Sequence, residues 1–323
     1  MTTRKYISEF GLNMQTDRVH ILQQRHLHLV TEDAFGPGRQ CHIYAIGRRP
    51  RITFDPTSFK ITPEAIRGAF VVHRREKPEI YDFEQPNRSA NPVVRVECEY
   101  PYSDFSFRNA KGESNIDGPV AQFLPMAGAH EVYPEVFDLE VLYVGQAYGK
   151  EGSRTAADRL VSHETLQKIY AEAIHRSPEM DIWIVLFSFK QWILASFDGR
   201  TDKFGTTLQE DTAHMAKVAH TDVTEGQQIT YTEAAMIRHF QPQYNIEYKD
   251  SFPDPKHTSY RECYDLDLNL VAVELDTRQI GSRLWSPTVA PGWNHMISFA
   301  LHSPEERQHM FDLSPGAFPN RGS

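Results

Sequence analysis

The sequence predicts an α+β protein, and three observations carry that expectation. Apolar runs of strand length, stopped by glycine or proline, recur along the chain: residues 42–46 before Gly47, 92–98, 137–144 before Gly145, and 182–189. Helical spacing appears between them, at Leu160, Ile169, Ala173 and Ile174, and again over residues 231–240. The composition, 40% hydrophobic and 24% charged, is that of an ordinary globular chain and excludes fibrous, coiled-coil and wholly disordered classes. At about 150 residues per domain, 323 residues make about two domains.

Taken in order, residues 42–46 read as a short strand. Thr62 at an N-cap and Pro63 at the first helical position predict a short helix over 62–72. Residues 83–92 are a turn-rich connection, 92–98 a second strand, and 102–118 a loop that closes the first domain. His130-Glu-Val-Tyr133 reads as a strand, and residues 137–144 as the next. Thr155-Ala-Ala-Asp158 has capping-box spacing and opens a long helix that Ser177-Pro178 stops. Residues 182–189 are apolar throughout, as in a strand buried on both faces. Residues 198–228 are polar and read as an insertion, with a helix over 210–219; residues 231–240 form a helix ended by Pro242. Residues 268–275 alternate as a strand, and 314–323 fray. The expected organisation is a mixed α/β N-terminal domain (1–129) that helps bind substrate, a central domain (130–250) with the insertion at 198–228, and a strand-containing C-terminal extension (251–323).

The net charge of -9 is unevenly spread. Residues 1–129 carry 17 Lys+Arg against 15 Asp+Glu, whereas residues 130–250 carry 11 against 19. Basic residues cluster at Arg48-Arg49-Pro50-Arg51 and from Arg67 to Arg74-Arg75, either a solvated face or a phosphate-binding surface. Cys41, Cys98 and Cys263 are widely separated, which argues against a disulfide framework or a cysteine zinc site and fits a reducing cytoplasm. No apolar run approaches the roughly 18 residues of a membrane span, and the first residues lack a hydrophobic signal core, so a cytoplasmic location is expected. His26-Leu-His28 has no third ligand at a recognised spacing, and neither a GxSxG elbow nor a GxxxxGK[ST] loop occurs.

Chemistry concentrates in the central block. Tyr133 precedes Tyr143-Val-Gly145-Gln146, which closes a strand; Arg159 and His163 follow four residues apart, sharing one helix face. Glu233 comes later, ahead of Pro242 and Asn245. An arginine fork suits phosphate oxygens, one glutamate can hold a Mg²⁺ that keeps most of its waters, and a tyrosine hydroxyl can position or deprotonate a water. Glu233 also stands three residues after Thr230, the spacing of a capping box.

These residues resemble the GIY-YIG endonucleases. YVGQ is similar to the family's second tripeptide, and EVY stands for the first, without its Gly and Ile. RLVSH is similar to its Arg followed four residues on by His or Tyr, and EAAMIRHFQPQYN to its closing Glu…Pro…Asn segment. The resemblance covers residues 131–245. It implies a small three-stranded antiparallel sheet flanked by helices and a Mg²⁺- or Mn²⁺-dependent endonuclease acting on DNA. By it, Tyr133 or His163 assists the attacking water, Tyr143 bears on the water or the phosphate, and Arg159 stabilises the phosphate. Glu233 binds the metal, and Gly145 and Asn245 shape the pocket. Arg48, Arg49, Arg51, Arg74 and Arg75 are the expected substrate-binding residues of the N-terminal block. Restriction or anti-phage defence is the setting suggested by the family's range. A structure-selective or RNA-directed nuclease shares the same residues, and a catalytically idle binding or scaffold module is the reading from another class. Oligomeric state leaves no signal in the sequence.

Overall fold

Strands account for 40% of the described residues and helices for 26%. The computed structural model describes residues 4–30, 41–147, 160, 163–197, 204–221, 223–256 and 261–312. In chain order the strands are β1 (Ser8–Leu22), β2 (Ile43–Pro50), β3 (Ile52–Phe54), β4 (Lys60–Ile61), β5 (Ala65–Val72), β6 (Glu79–Pro86), β7 (Val93–Glu97), β8 (Asp104–Asn109), β9 (Ser114–Pro119), β10 (Leu139–Gln146), β11 (Met180–Phe197), β12 (Leu270–Asp276), β13 (Leu284–Ser286), β14 (Val289–Gly292) and β15 (Asn294–Ala300). The helices are α1 (Val120–Met126), α2 (Ala129–Val132), α3 (Glu164–Arg176), α4 (Leu208–His220), α5 (Glu225–Phe240) and α6 (Arg261–Asp265).

Eight strands form one sheet in the order β14-β13-β10-β2-β11-β1-β12-β15. Its frame is the antiparallel pair β1–β11, in register from Ser8↔Phe197 to Leu22↔Ile184 with one bulge between Thr16 and Arg18. The two edge strands, β14 and β15, are separated in sequence by Trp293 alone, so the sheet must curl until its edges nearly meet. Inside the curl lies α5, buried at Ile229, at every residue from Tyr231 to Ile237, and at Phe240. It packs against β10 and β2 near one end of the sheet and against β12 and β15 at the other. A helix buried on every side over two turns must be enclosed, and the sheet encloses this one. The outer face carries a second apolar layer, in which α3 sets Leu166 and Ile169 against Tyr44, Ile46, Ile182 and Ile184.

This architecture corrects the expected fold class: a nearly closed, barrel-like eight-stranded sheet replaces the small three-stranded sheet flanked by helices. Strands from all three expected blocks interleave, with β2 between β10 and β11, and β12 beside β1. The physical reason is that the edges of β10 and β11 would otherwise expose unpaired backbone groups, and strands far away in sequence satisfy them.

Local expectations change for identifiable reasons. Residues 62–72 are the β4–β5 hairpin, because the Thr62 hydroxyl accepts from the backbone N–H of Glu64 and Ala65 and so builds a turn rather than a helix start. Residues 102–118 contain β8 and β9, whose Phe105 and Phe107 join a ring cluster with Phe54, Phe83 and Phe123. β6 runs to Pro86, into the expected turn-rich connection. His130 and Val132 belong to a single helical turn, α2, not to a strand. Thr155 and Asp158 lie outside the described residues; α3 begins at Glu164. Within the expected insertion, α4 opens on a capping box of Thr207 and Glu210.

A buried ion network ties the C-terminal segment to β1. The Arg307 guanidinium donates to Glu9, with Nε 3.0 Å from Oε2, and to Asp267 Oδ1 at 2.7 Å. The side chains of Arg307 and Glu9 are 2% and 0% exposed. Burial alone would raise the Asp267 carboxyl, but the Lys5 hydrogen bond and the Arg307 charge hold it below its ordinary range. Arg307→Met strands a buried carboxylate and is expected to cost about 3–5 kcal/mol in urea unfolding, most of it recovered in the Arg307→Met, Glu9→Leu double variant.

The closure seam carries two histidines. His295 Nε2 lies 3.1 Å from the carbonyls of both Leu284 and Gly292, and its Nδ1 lies 3.2 Å from His239 Nε2. Burial, and then the neighbouring His295, pull His239 from its ordinary 6.5 to about 4. With the folded value below the unfolded one, this group's contribution is complete above about pH 6.5 and is lost as pH falls through 4. Unfolding free energy is expected to fall by up to ~3 kcal/mol across that window, and His239→Asn is expected to flatten the profile.

Candidate active site

The site is built on β10. Its pairing with β2 slips between Val141↔Gly47 and Tyr143↔Ile46, so Leu142 is one extra residue. The bulge turns both Leu142 and Tyr143 towards the outer apolar layer beneath α3. Two residues on, Gly145 pairs with Tyr44. A Cβ at Gly145 would stand 2.5 Å from Tyr44 Oη and 2.7 Å from Tyr143 Cε1. Only glycine lets the two tyrosines close over this backbone.

His163 completes the group. Its ring centroid lies 5.7 Å from that of Tyr44 and 5.3 Å from that of Tyr143, both edge-on, while the two tyrosine rings are 6.2 Å apart. Tyr44 is fully buried, His163 is 7% exposed and Tyr143 is half-buried. His163 is the N-cap of α3, and its Nδ1 accepts the Leu166 backbone N–H at 3.1 Å. A lone pair used in that way places the proton of the neutral ring on Nε2. While it caps the helix, His163 is therefore a hydrogen-bond donor and not a base.

Glu233 sits in the middle of α5 at 8% exposure. The capping-box alternative does not apply, since α5 starts at Glu225 and the Thr230 hydroxyl donates to the Gly226 carbonyl at 2.9 Å. Burial first, and then the Glu233 charge, raise the Tyr248 phenol, which places Tyr248 near that carboxylate. After Pro242 the chain returns to β10. The Tyr244 N–H donates to the Leu142 carbonyl at 3.0 Å. The Asn245 side chain accepts from the Val144 N–H at 2.9 Å and donates to the Val144 carbonyl at 2.8 Å. β13 pairs with β10 only at Leu139 and Glu140, so this amide stands in for a strand along the rest of that edge. Tyr143 and Gly145 thus lie on β10 and Asn245 is bonded to it, whereas α5 with Glu233 packs on the inner face of that strand, opposite the layer that Tyr143 joins.

Other candidates lie elsewhere. Tyr133 packs against Tyr81 and Phe70, at 4.8 and 6.2 Å between ring centroids, in the inner core and away from Tyr143. Arg159 lies outside the described residues. Of the expected phosphate-binding arginines, Arg48 pairs with Glu140 at 2.7 Å, Arg51 with Asp181 at 3.4 Å and Arg74 with Glu79 at 3.1 Å. Arg49 is a core residue at 1% exposure. It stacks 4.1 Å from the Trp183 ring centroid and donates to Ser282 Oγ and the Ala121 carbonyl, and burial lowers its pKa. Arg75 is exposed.

Tyr44 is the residue that sequence reasoning passed over. Its signal was present in Ile43-Tyr44, a strand before a glycine, but nothing local says that β2 pairs with the strand of Tyr143 some 100 residues later. No protein-family model matches the chain, and no curated protein or solved structure matches it. Asn245→Leu removes both bonds to Val144 and is expected to cost roughly 2–3 kcal/mol in thermal unfolding, with loss of hydrogen-exchange protection at the Val144 amide.

Proposed function

We propose that this chain is a metal-dependent nuclease of the GIY-YIG type that hydrolyses phosphodiester bonds in DNA. The observation that carries the reading is the convergence of Tyr44, Tyr143 and His163 over Gly145. Tyr44 takes the place assigned from sequence to Tyr133, and Ile43-Tyr44 supplies the Ile-Tyr with which the family's first tripeptide ends.

Hydrolysis needs a water oxygen aligned on phosphorus, a place for its proton, and a proton for the leaving oxygen. The Tyr44 and Tyr143 hydroxyls are the groups that orient the water, and Tyr143, the half-exposed one, gives its own proton to solvent as it takes the water's. His163, held as an Nε2–H donor, is suited to hydrogen-bond a phosphate oxygen, and the leaving oxygen takes its proton from solvent. Arg159, four residues before His163, is proposed to steady the phosphate charge. By the resemblance, Glu233 would hold the Mg²⁺ or Mn²⁺ ion. That ion would supply charge neutralisation at the phosphate.

One observation favours the second reading, a catalytically idle binding module. The arginines expected to grip phosphate are largely committed to internal carboxylates or buried. Plasmid cleavage in Mg²⁺ separates the two. Tyr143→Phe and Glu233→Gln are expected to cut about 100-fold or more slowly than wild type, with Tyr133→Phe close to wild type. Cutting that survives in both of the first two variants rejects the site. A wild type that neither cuts nor binds DNA in a salt-dependent way establishes the idle module.

A further inference from the structure

On the outer face, between α3 and the start of β11, lies a cavity of about 230 Å³. Its apolar walls are Ala173, Met180 and Ile182, with Tyr170 at one side. Its polar side is Gln23, Arg51 and Asp181, the last two joined by an Nε–Oδ1 contact of 3.4 Å. Arg51 also donates through Nη2 to the Pro178 carbonyl, and its backbone N–H donates to the Glu179 carbonyl at 2.8 Å. Arg51 Nη1 and Asp181 Oδ2 have no hydrogen-bond partner among the described residues. A fixed donor therefore stands beside a fixed acceptor at the rim of a small apolar slot.

We propose that this slot holds one unpaired nucleobase of the substrate strand. The cavity is smaller than the ≈ 300–1,000 Å³ of sites for drug-sized ligands, leaving room for a flat ring system and not for a whole nucleotide. Each nucleobase presents an N–H next to an acceptor on its pairing edge, the complement of Asp181 Oδ2 beside Arg51 Nη1. In a duplex that edge is occupied, so the slot takes a base that is single-stranded or turned out of the stack. Apolar side chains on both sides give it the faces a base ring needs.

Its position suits a subsite. Tyr44 pairs with Leu186 on β11, four residues from the slot's Ile182, which is about 13 Å along the strand. Tyr44 and Ile182 belong to one apolar layer, against which Tyr143, Tyr170 and Ala173 also pack. α3 runs from His163 at the tyrosine group to Tyr170 and Ala173 at the slot. A strand cut at the tyrosines would place a base a few nucleotides away within reach of the slot. This deepens the nuclease reading and rests on it for the source of the base.

The test reads binding and not cleavage. Saturation-transfer NMR is run on the full chain with each of the four nucleosides at millimolar concentration, for wild type, Ala173→Phe and Asp181→Asn. Transfer to the base protons is expected in wild type, abolished in Ala173→Phe, where the larger side chain fills the slot, and weakened about tenfold in Asp181→Asn. Circular dichroism and thermal melting report folding, and if Ala173→Phe does not fold, Asp181→Asn alone decides. No transfer from any nucleoside, or equal transfer in wild type and the folded variants, overturns the slot. Slot-dependent binding in a protein that does not cut plasmid DNA supports the slot and rejects only the nuclease reading.

Discussion

A helix buried on every side over residues 231–237 has to be enclosed, and in this molecule everything else follows from how α5 is enclosed. Its buried surface includes residues 231–237 without a break, so neither a flat sheet nor a second helix would cover it. The eight-stranded sheet does so by curling until β14 and β15, joined through Trp293, come from opposite edges to one seam. The seam is locked by side chains rather than by a continuous ladder, with His295 spanning the Leu284 and Gly292 carbonyls. Closure also draws strands from the whole chain into one layer, which is why β2 lies between two strands that follow it by some 90 and 130 residues.

The same enclosure serves the candidate site. β10 is held on one side by β2 and on the other by the Asn245 amide, so the strand carrying Tyr143 and Gly145 is fixed along both edges. Structural and chemical demands meet on single residues there. Gly145 is small because two tyrosines need its space, and His163 is oriented because it caps α3. Substitutions at these positions act on geometry as much as on chemistry, whereas removing the Tyr143 hydroxyl leaves the packing in place.

Charge tells a more divided story. The slightly basic first block looked like a nucleic-acid surface, but its arginines mostly find carboxylates. Arg48 takes Glu140, Arg74 takes Glu79 and Arg67 takes Glu84. Exposed pairs of this kind contribute little to stability, yet they consume the donors that phosphate contacts would need. On the proposed reading, such a protein would rely on a bound cation and on a placed donor such as His163 more than on a broad positive field.

Elements whose signal is contained in a short window were legible in the sequence. The apolar run in β11, the strand ending at Gly145, the helix before Pro242 and the helix within 210–219 all follow from local periodicity and punctuation. Thr62 shows how local chemistry underdetermines the outcome: a hydroxyl that accepts from the next N–H groups begins a helix or builds a hairpin turn, and the choice lies with the strands on either side. His130 to Val132 likewise became a helical turn, and Tyr133 after it packs its ring against Tyr81 instead of pairing along a sheet. The residue types of the site, Tyr143, His163, Glu233 and Asn245, were present in the sequence with their order. That Tyr44 and not Tyr133 stands beside Tyr143 and His163, that Glu233 is buried and not a cap, and that Arg49 lies in the core were decided only by tertiary structure. Strand pairing and burial join residues far apart in sequence, and no spacing along the chain encodes which distant edge a strand will find.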